Sequence, residues 1–228
     1  MKHLRTIGIV AVIVLLFGVV IASLSSRPAA GDQVWNEAAT VGSMEAKNHY
    51  IMYTDIMCPY CDFFSRVVMD NWDKFTTYLA ENDILFEIRL TDYLYEGMGS
   101  LYSRDSAEAA YCAMRENKFW EFYHGAQTAL LKDYHSKGIG DSKTSPAIKD
   151  LPDDYWLKIG HEAGLGAEFD NCIANHEVAD ELDNNTRRAN QVAQGYPYFK
   201  FNKFATAGFD SSWGWDYVKM YLDAGLSK

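Results

Sequence analysis

The sequence predicts an α/β chain in which a central sheet is divided by an all-helical insertion and preceded by an N-terminal transmembrane helix. Three observations carry this. A strand–helix–strand pattern occupies 48–90, a strand–turn–strand–helix pattern occupies 195–224, and the stretch between them has helical composition. Two strands joined by a crossover helix form a parallel pair, so the sheet begins in the first block and is completed in the second.

The elements follow in chain order. Lys2 and Arg5 precede IGIVAVIVLLFGVVIASL, residues 7–24, a run without charge or proline. A cleaved signal peptide has an apolar region of roughly 7–15 residues and a small-x-small cleavage site. This run comes closer to the roughly 20 residues that span a bilayer. The expectation is a cytoplasmic segment 1–6, a signal anchor 7–24, and a single-pass membrane protein whose remainder is exported, because positive flanks stay inside. Secretion after signal cleavage is the alternative. No cysteine closely follows the run, which excludes a lipoprotein anchor. Residues 25–45 are small and polar and read as a linker.

NHYIMYTD, 48–55, is a strand rich in Tyr and Ile. Phe64, Val68, Trp72, Phe75 and Leu79 recur at helical spacing and predict one amphipathic helix over 59–80. ILFEIRL, 84–90, alternates in period two and forms the second strand. One or two helices cover 104–134, a Gly- and Ser-containing loop covers 135–152, and helical composition resumes through 194. GYPYFKFNKFATAGFD, 195–210, reads as two short strands with a tight turn at Asn202-Lys203, followed by a helix over 212–224. The layout is a thioredoxin-like sheet with halves 46–95 and 191–228 around a helical insertion, 96–190.

Composition narrows the function. With 48% hydrophobic and 14% aromatic residues among 228, the chain buries a core without relying on its four cysteines. A formal charge of −10 and no Lys/Arg cluster argue against nucleic acid, whose phosphates demand basic neutralisation. All four cysteines, Cys58, Cys61, Cys112 and Cys172, lie beyond the apolar run, in a compartment that permits disulfides. Their even number suggests pairs without saying which.

In YTDIMCPYCDFF, 53–64, only Pro59 and Tyr60 separate Cys58 from Cys61. A zinc site needs four ligands, and His49, His124, His135, His161 and His176 show no ligand spacing around the single CxxC, so no metal is expected. A purely structural CxxC disulfide closes too small a loop to gain much chain entropy, and it is strained. The redox reading accounts for the spacing. Pro59 suits the first helical position, which puts Cys58 at a helix N-terminus, where unpaired N–H groups favour a thiolate. Cys61, one turn on, lies on the apolar side with Phe64 and Val68. An exposed activated thiol beside a shielded one is what disulfide exchange requires, and no cofactor is called for. Asp55, three residues before Cys58, reads as a strand end that caps the turn, with proton transfer as its alternative role.

YTDIMCPYC, AAYCAMRENKFWEFYHGA, AEFDNCIANH and GYPYFKFN occur in the order of the DsbA-like thiol–disulfide oxidoreductases of bacterial envelopes, which the chain resembles over 45–225. The resemblance implies that Cys58 is the nucleophile, that Cys61 resolves, and that Pro197 is a cis-proline facing them. It implies that the backbone of Tyr196 receives an extended substrate, with Tyr60 and Tyr196 as substrate-binding side chains. It also implies that Cys112 and Cys172 form a second, structural disulfide; two free buried thiols are the alternative. The implied partners are reduced secreted proteins and a quinone-linked membrane protein that restores the disulfide. Tyr60 stands where the strongest oxidases carry His, and Tyr196 where Val or Thr is usual. Oxidation of substrates is the expected direction, with an envelope reductase or isomerase, or a non-catalytic binding or chaperone module, as rivals.

Overall fold

The computed structural model describes residues 39–98, 100–140 and 148–226. The predicted cytoplasmic segment, the signal anchor and most of the linker lie outside the described residues. Among the described residues, no helix is long and apolar enough to cross a membrane.

Five strands form one mixed sheet in the order β1-β3-β2-β4-β5. At its centre β2, Asn48–Thr54, runs parallel to β3, Ile84–Leu90, with Thr54 opposite Leu90. The predicted crossover supplies that parallel pair. On the other side of β2 lies β4, Tyr198–Phe201, antiparallel, with Tyr53 opposite Tyr198. β5, Phe204–Ala207, closes the predicted hairpin. The linker expectation needs a correction: β1, Ala39–Val41, falls inside 25–45 and pairs antiparallel with β3. A three-residue edge strand has too few side chains to show a period, and it exists because the edge of β3 offers it hydrogen bonds.

The helix predicted over 59–80 is two, α1 at Pro59–Asp70 and α2 at Trp72–Glu81. Asn71 leaves helical geometry between them, and its side-chain amide donates to Val67 O at 2.9 Å. Its short polar side chain competes for backbone groups that would otherwise continue the helix. Both helices keep the predicted apolar stripe, because a bend of one residue barely rotates the face.

The connection from β3 to β4 contains α3 (Tyr93–Met98), α4 (Leu101–Arg115), α5 (Phe119–Asp133), a 3₁₀ turn (His135–Lys137), α6 (Tyr155–Glu162), α7 (Ala167–Ala174) and α8 (Ala179–Asn190). Helix α9, Trp215–Leu226, returns to the sheet. Cys112 of α4 and Cys172 of α7 are joined by a disulfide, with Cα atoms 5.9 Å apart.

The centre of the sheet is buried on both faces, and this explains an anomaly of β3. Its period-two pattern puts Glu87 and Arg89 on one face, yet all seven of its residues are buried. Ile84, Phe86, Ile88 and Leu90 face the main core with Phe64, Val68, Phe75, Phe199 and Leu222. Phe64 alone meets the rings of Phe86, Phe199 and Phe209, and such burial contributes about 1.5–3 kcal/mol. The opposite face carries Ile51, Tyr53 and Tyr198 against Ala189 of α8. There the Arg89 guanidinium donates to Glu87 Oε1 at 2.6 Å and to Tyr53 OH at 2.9 Å. The charges are buried because they are paired.

Candidate active site

β2 ends at Thr54, and the chain turns through Asp55, Ile56 and Met57 before α1 begins. Asp55 builds that turn. Its carboxylate Oδ1 accepts the Met57 N–H at 2.8 Å, and its carbonyl accepts the Cys58 N–H at 3.1 Å. Cys58 is the N-cap of α1 with extended backbone, and Pro59 takes the first helical position as expected. The N–H groups of Cys61 and Asp62 both donate to Cys58 O at 3.0 Å. Cys58 therefore stands where the free N–H groups and dipole of α1 converge.

Both thiols are reduced. The exposure expected for Cys58 is corrected: it is only 4% exposed, and Cys61 is fully buried. A helix N-terminus is open by itself; here the segment before β4 lies over it. The Cys58 thiol points at the Tyr196 carbonyl oxygen, 3.9 Å away. Tyr196-Pro197 is a cis peptide bond, as the resemblance implies. Gly195 before it has φ +138°, a region that L side chains rarely adopt. Burial, followed by the hydrogen bond and charge of Cys58, pushes the Cys61 thiol well up from its ordinary range.

Tyr60 projects from the first turn of α1, 45% exposed, with its ring edge-on to Phe63. The Tyr196 ring does not point into open solvent: it stacks on Tyr93, the first residue of α3. The structure thus brings Cys58, Pro59, Tyr60, Cys61, Tyr196 and Pro197 to one end of the sheet. It places Cys112 and Cys172 apart from them, within the insertion.

Sequence reasoning missed several participants. Tyr93 is one. Asp62, fully buried, accepts the Arg66 Nε–H at 2.8 Å and lies 3.3 Å from His135 Nδ1. Ser65 donates to Cys61 O at 3.0 Å and shares a 2.7 Å hydrogen bond with Tyr123 OH of α5. His135 and Tyr123 thereby fasten the insertion to the helix that carries the cysteines. Phe119, Phe122 and Tyr123 are core residues, and Trp120 meets Trp72 across the two parts of the fold. One signal for Tyr93 was present. In a parallel pair the residues after both strands share one edge, so 91–93 must lie beside 55–58.

Asp55 is fully buried, and burial pushes its carboxyl up to about 6. It accepts two further hydrogen bonds, from Leu94 N–H at 2.9 Å and from Ser103 Oγ at 2.6 Å. These bonds bear out the capping reading of Asp55. Among the described residues, no group of three or more His, Cys, Asp or Glu side chains is placed to hold a metal ion.

A thioredoxin-like sheet with a CxxC pair at the first strand–helix junction and a cis-proline beside it defines the class. The chain belongs to the thioredoxin family: the family model described as Thioredoxin matches residues 36–202. Its fold is that of the DsbA-like thiol–disulfide oxidoreductases. It is similar to the reduced form of the disulfide bond oxidoreductase DsbG from Mycobacterium tuberculosis, with 20% identity, TM-score 0.60, and coverage of 84% of this chain and 88% of that one. BdbD from Bacillus subtilis matches at 16% identity and TM-score 0.58, covering 88% and 99%. A periplasmic thioredoxin-like protein from Salmonella enterica serovar Typhimurium matches at 17% identity and TM-score 0.56, covering 87% and 95%. A search of curated protein sequences finds no match.

Proposed function

We propose that the protein is an extracytoplasmic thiol–disulfide oxidoreductase that forms disulfides in reduced secreted proteins through Cys58 and Cys61. The observation that carries this is the placement of Cys58 at the N-terminus of α1, beside the Tyr196 carbonyl and above a buried Cys61. In the oxidised enzyme a substrate thiolate attacks Cys58 Sγ. The Cys58–Cys61 bond breaks, a mixed disulfide forms, and Cys61 leaves as a thiolate. Burial favours its prompt protonation. A second substrate thiolate then attacks the substrate sulfur of the mixed disulfide and expels Cys58. Two electrons pass from substrate to the cysteine pair, and both substrate protons are released or taken up by the pair.

Each site residue has a part in this reading. Pro59 starts the helix, Tyr60 forms part of the rim, Tyr196 offers backbone groups to an extended substrate, and Pro197, lacking an N–H, limits how tightly that edge binds. The pair Cys112–Cys172 serves as a structural staple. Residues 46–95 and 191–228 are the two halves of the redox domain, and 96–190 is its insertion. Anchoring by 7–24 and export of the domain are supported by the basic flank and apolar run. The periplasmic description of the Salmonella relative agrees with this. By family analogy a quinone-linked membrane protein reoxidises the pair.

The test is a reduction potential, measured against glutathione, together with trapping. Cys61→Ala, mixed with a disulfide-bonded substrate, should accumulate a mixed disulfide through Cys58, which attacks the substrate disulfide and expels one substrate thiolate, with no second thiol left to resolve it. Tyr60 supplies no positive charge to a thiolate, so the potential should fall between roughly −230 and −130 mV, milder than the strongest oxidases. A value near that of thioredoxin, about −270 mV, would instead favour the envelope reductase. Absence of any exchange would favour the binding module.

A further inference from the structure

Tyr93 and Tyr196 stack with ring centroids 4.3 Å apart and planes 19° apart. The Tyr196 carbonyl lies 3.9 Å from Cys58 Sγ, so the residue that carries one ring of the stack adjoins that sulfur through its backbone. Tyr93 is 36% exposed, leaving part of its ring available at the surface. Its position does not depend on its own short helix. The next residue, Leu94, donates its N–H to Asp55 Oδ2 at 2.9 Å, and Ser103 Oγ of α4 donates to the same oxygen at 2.6 Å. The other carboxylate oxygen holds Met57 N–H at 2.8 Å, and the Asp55 carbonyl holds Cys58 N–H at 3.1 Å. One buried side chain fixes the loop bearing Cys58 and the helix start bearing Tyr93 in a single register.

We propose that Tyr93 is a specificity-determining residue. Stacked on Tyr196, it forms an aromatic wall on the insertion side of Cys58, and the wall selects extended substrate segments that carry an aromatic residue next to the reacting cysteine. The wall narrows the approach to the sulfur, in keeping with its 4% exposure. A flat ring beside the substrate cysteine packs against the exposed part of Tyr93, while a glycine gains nothing there. The inference rests on reading Cys58 as the nucleophile.

The experiment uses the full chain and two cysteine peptides that differ only in the neighbouring residue, Trp or Gly. The oxidised protein should oxidise the Trp peptide faster by about twofold to tenfold, the range expected for one aromatic contact. Tyr93→Ala and Tyr93→Leu should bring that ratio close to one, and Tyr93→Phe should keep it. An unchanged ratio in Tyr93→Ala and Tyr93→Leu would overturn the proposal. A second readout needs no turnover: iodoacetamide should label Cys58 of the reduced protein faster in Tyr93→Ala than in the parent or in Tyr93→Phe. Equal rates in all three would also overturn it. If the parent oxidises neither peptide, the reading of Cys58 as nucleophile fails, and the labelling rates still decide whether the wall exists.

Discussion

Replacing Asp55 with asparagine separates the charge of this carboxylate from its hydrogen bonds, because the two effects depend differently on pH. In the folded protein burial raises its pKa from 3.8 to about 6, reinforced by the charge of Asp92 and opposed by the bonds from Leu94, Ser103 and Met57. Between those two values the folded protein holds a proton that the unfolded chain has released. The stability this group contributes is therefore fully present below pH 3.8 and is lost as pH rises through about 6. A rise of that size amounts to about 3 kcal/mol. The asparagine side chain does not titrate, so the Asp55→Asn variant escapes that loss. Its amide has one acceptor oxygen, whereas Met57, Leu94 and Ser103 donate to both oxygens of the carboxylate. At least one buried donor then faces an NH₂ group, which costs about 1–3 kcal/mol at every pH. The variant should be close to the parent in stability at neutral pH. Near pH 4 the protonated Asp55 regains most of its advantage, and the deficit of the variant should grow by about 2.5 kcal/mol. Urea denaturation of both proteins between about pH 4 and 7.5, with linear extrapolation, measures the difference. Groups common to both proteins cancel. A difference that stays constant over that range would refute the reasoning.

The Cys112–Cys172 disulfide spans a sequence separation of 60, for which the chain-entropy model gives about 14 cal/mol/K, or about 4 kcal/mol at 25 °C. The double Ala variant should lose up to that amount in denaturant titration yet retain thiol exchange; loss of exchange in a folded variant would mark the pair as a second redox centre. Because burial and the neighbouring Cys58 push the Cys61 thiol up, mildly acidic alkylation of the reduced protein should label Cys58 well before Cys61. Equal labelling at every pH would remove the basis for their separate roles.

What was legible in the sequence was whatever repeats with a period or depends on one residue's chemistry. β3 showed its alternation, β2 its Tyr- and Ile-rich composition, and Pro59 marked where α1 starts. The turn at Asn202-Lys203 was legible too, with Asn202 at φ +53°. What was not legible depends on partners distant in the chain. β1 is too short to signal itself and forms on the edge of β3. Glu87 and Arg89 look like a solvent face, and only α8 covering that face reveals them as a buried pair. Cys58 reads as exposed from its helix position, because the residues that cover it arrive from 196–197. Asp62 carries no motif, and its link to His135 appears only when the insertion folds back on α1.

The topology explains why the insertion contributes to the site. β2 and β3 are parallel, so both end at the edge where α1 begins, and Thr54 lies opposite Leu90 there. β4 runs antiparallel to β2, so it starts at that same edge, with Tyr198 opposite Tyr53. The connection between β3 and β4 contains the insertion. It must leave the sheet beside Cys58 and return beside Cys58, whatever its helices do in between. Its departure places Tyr93, its return places Tyr196, and the two rings meet across the gap. Asp55 ties the departure to the loop that carries Cys58. The sheet thus fixes the cysteine pair, while the two ends of that connection bring Tyr93 and Tyr196 together beside it. On the proposed reading, changes at 93 and 196 should alter which substrate cysteines reach Cys58 without changing the helix N-terminus on which it stands.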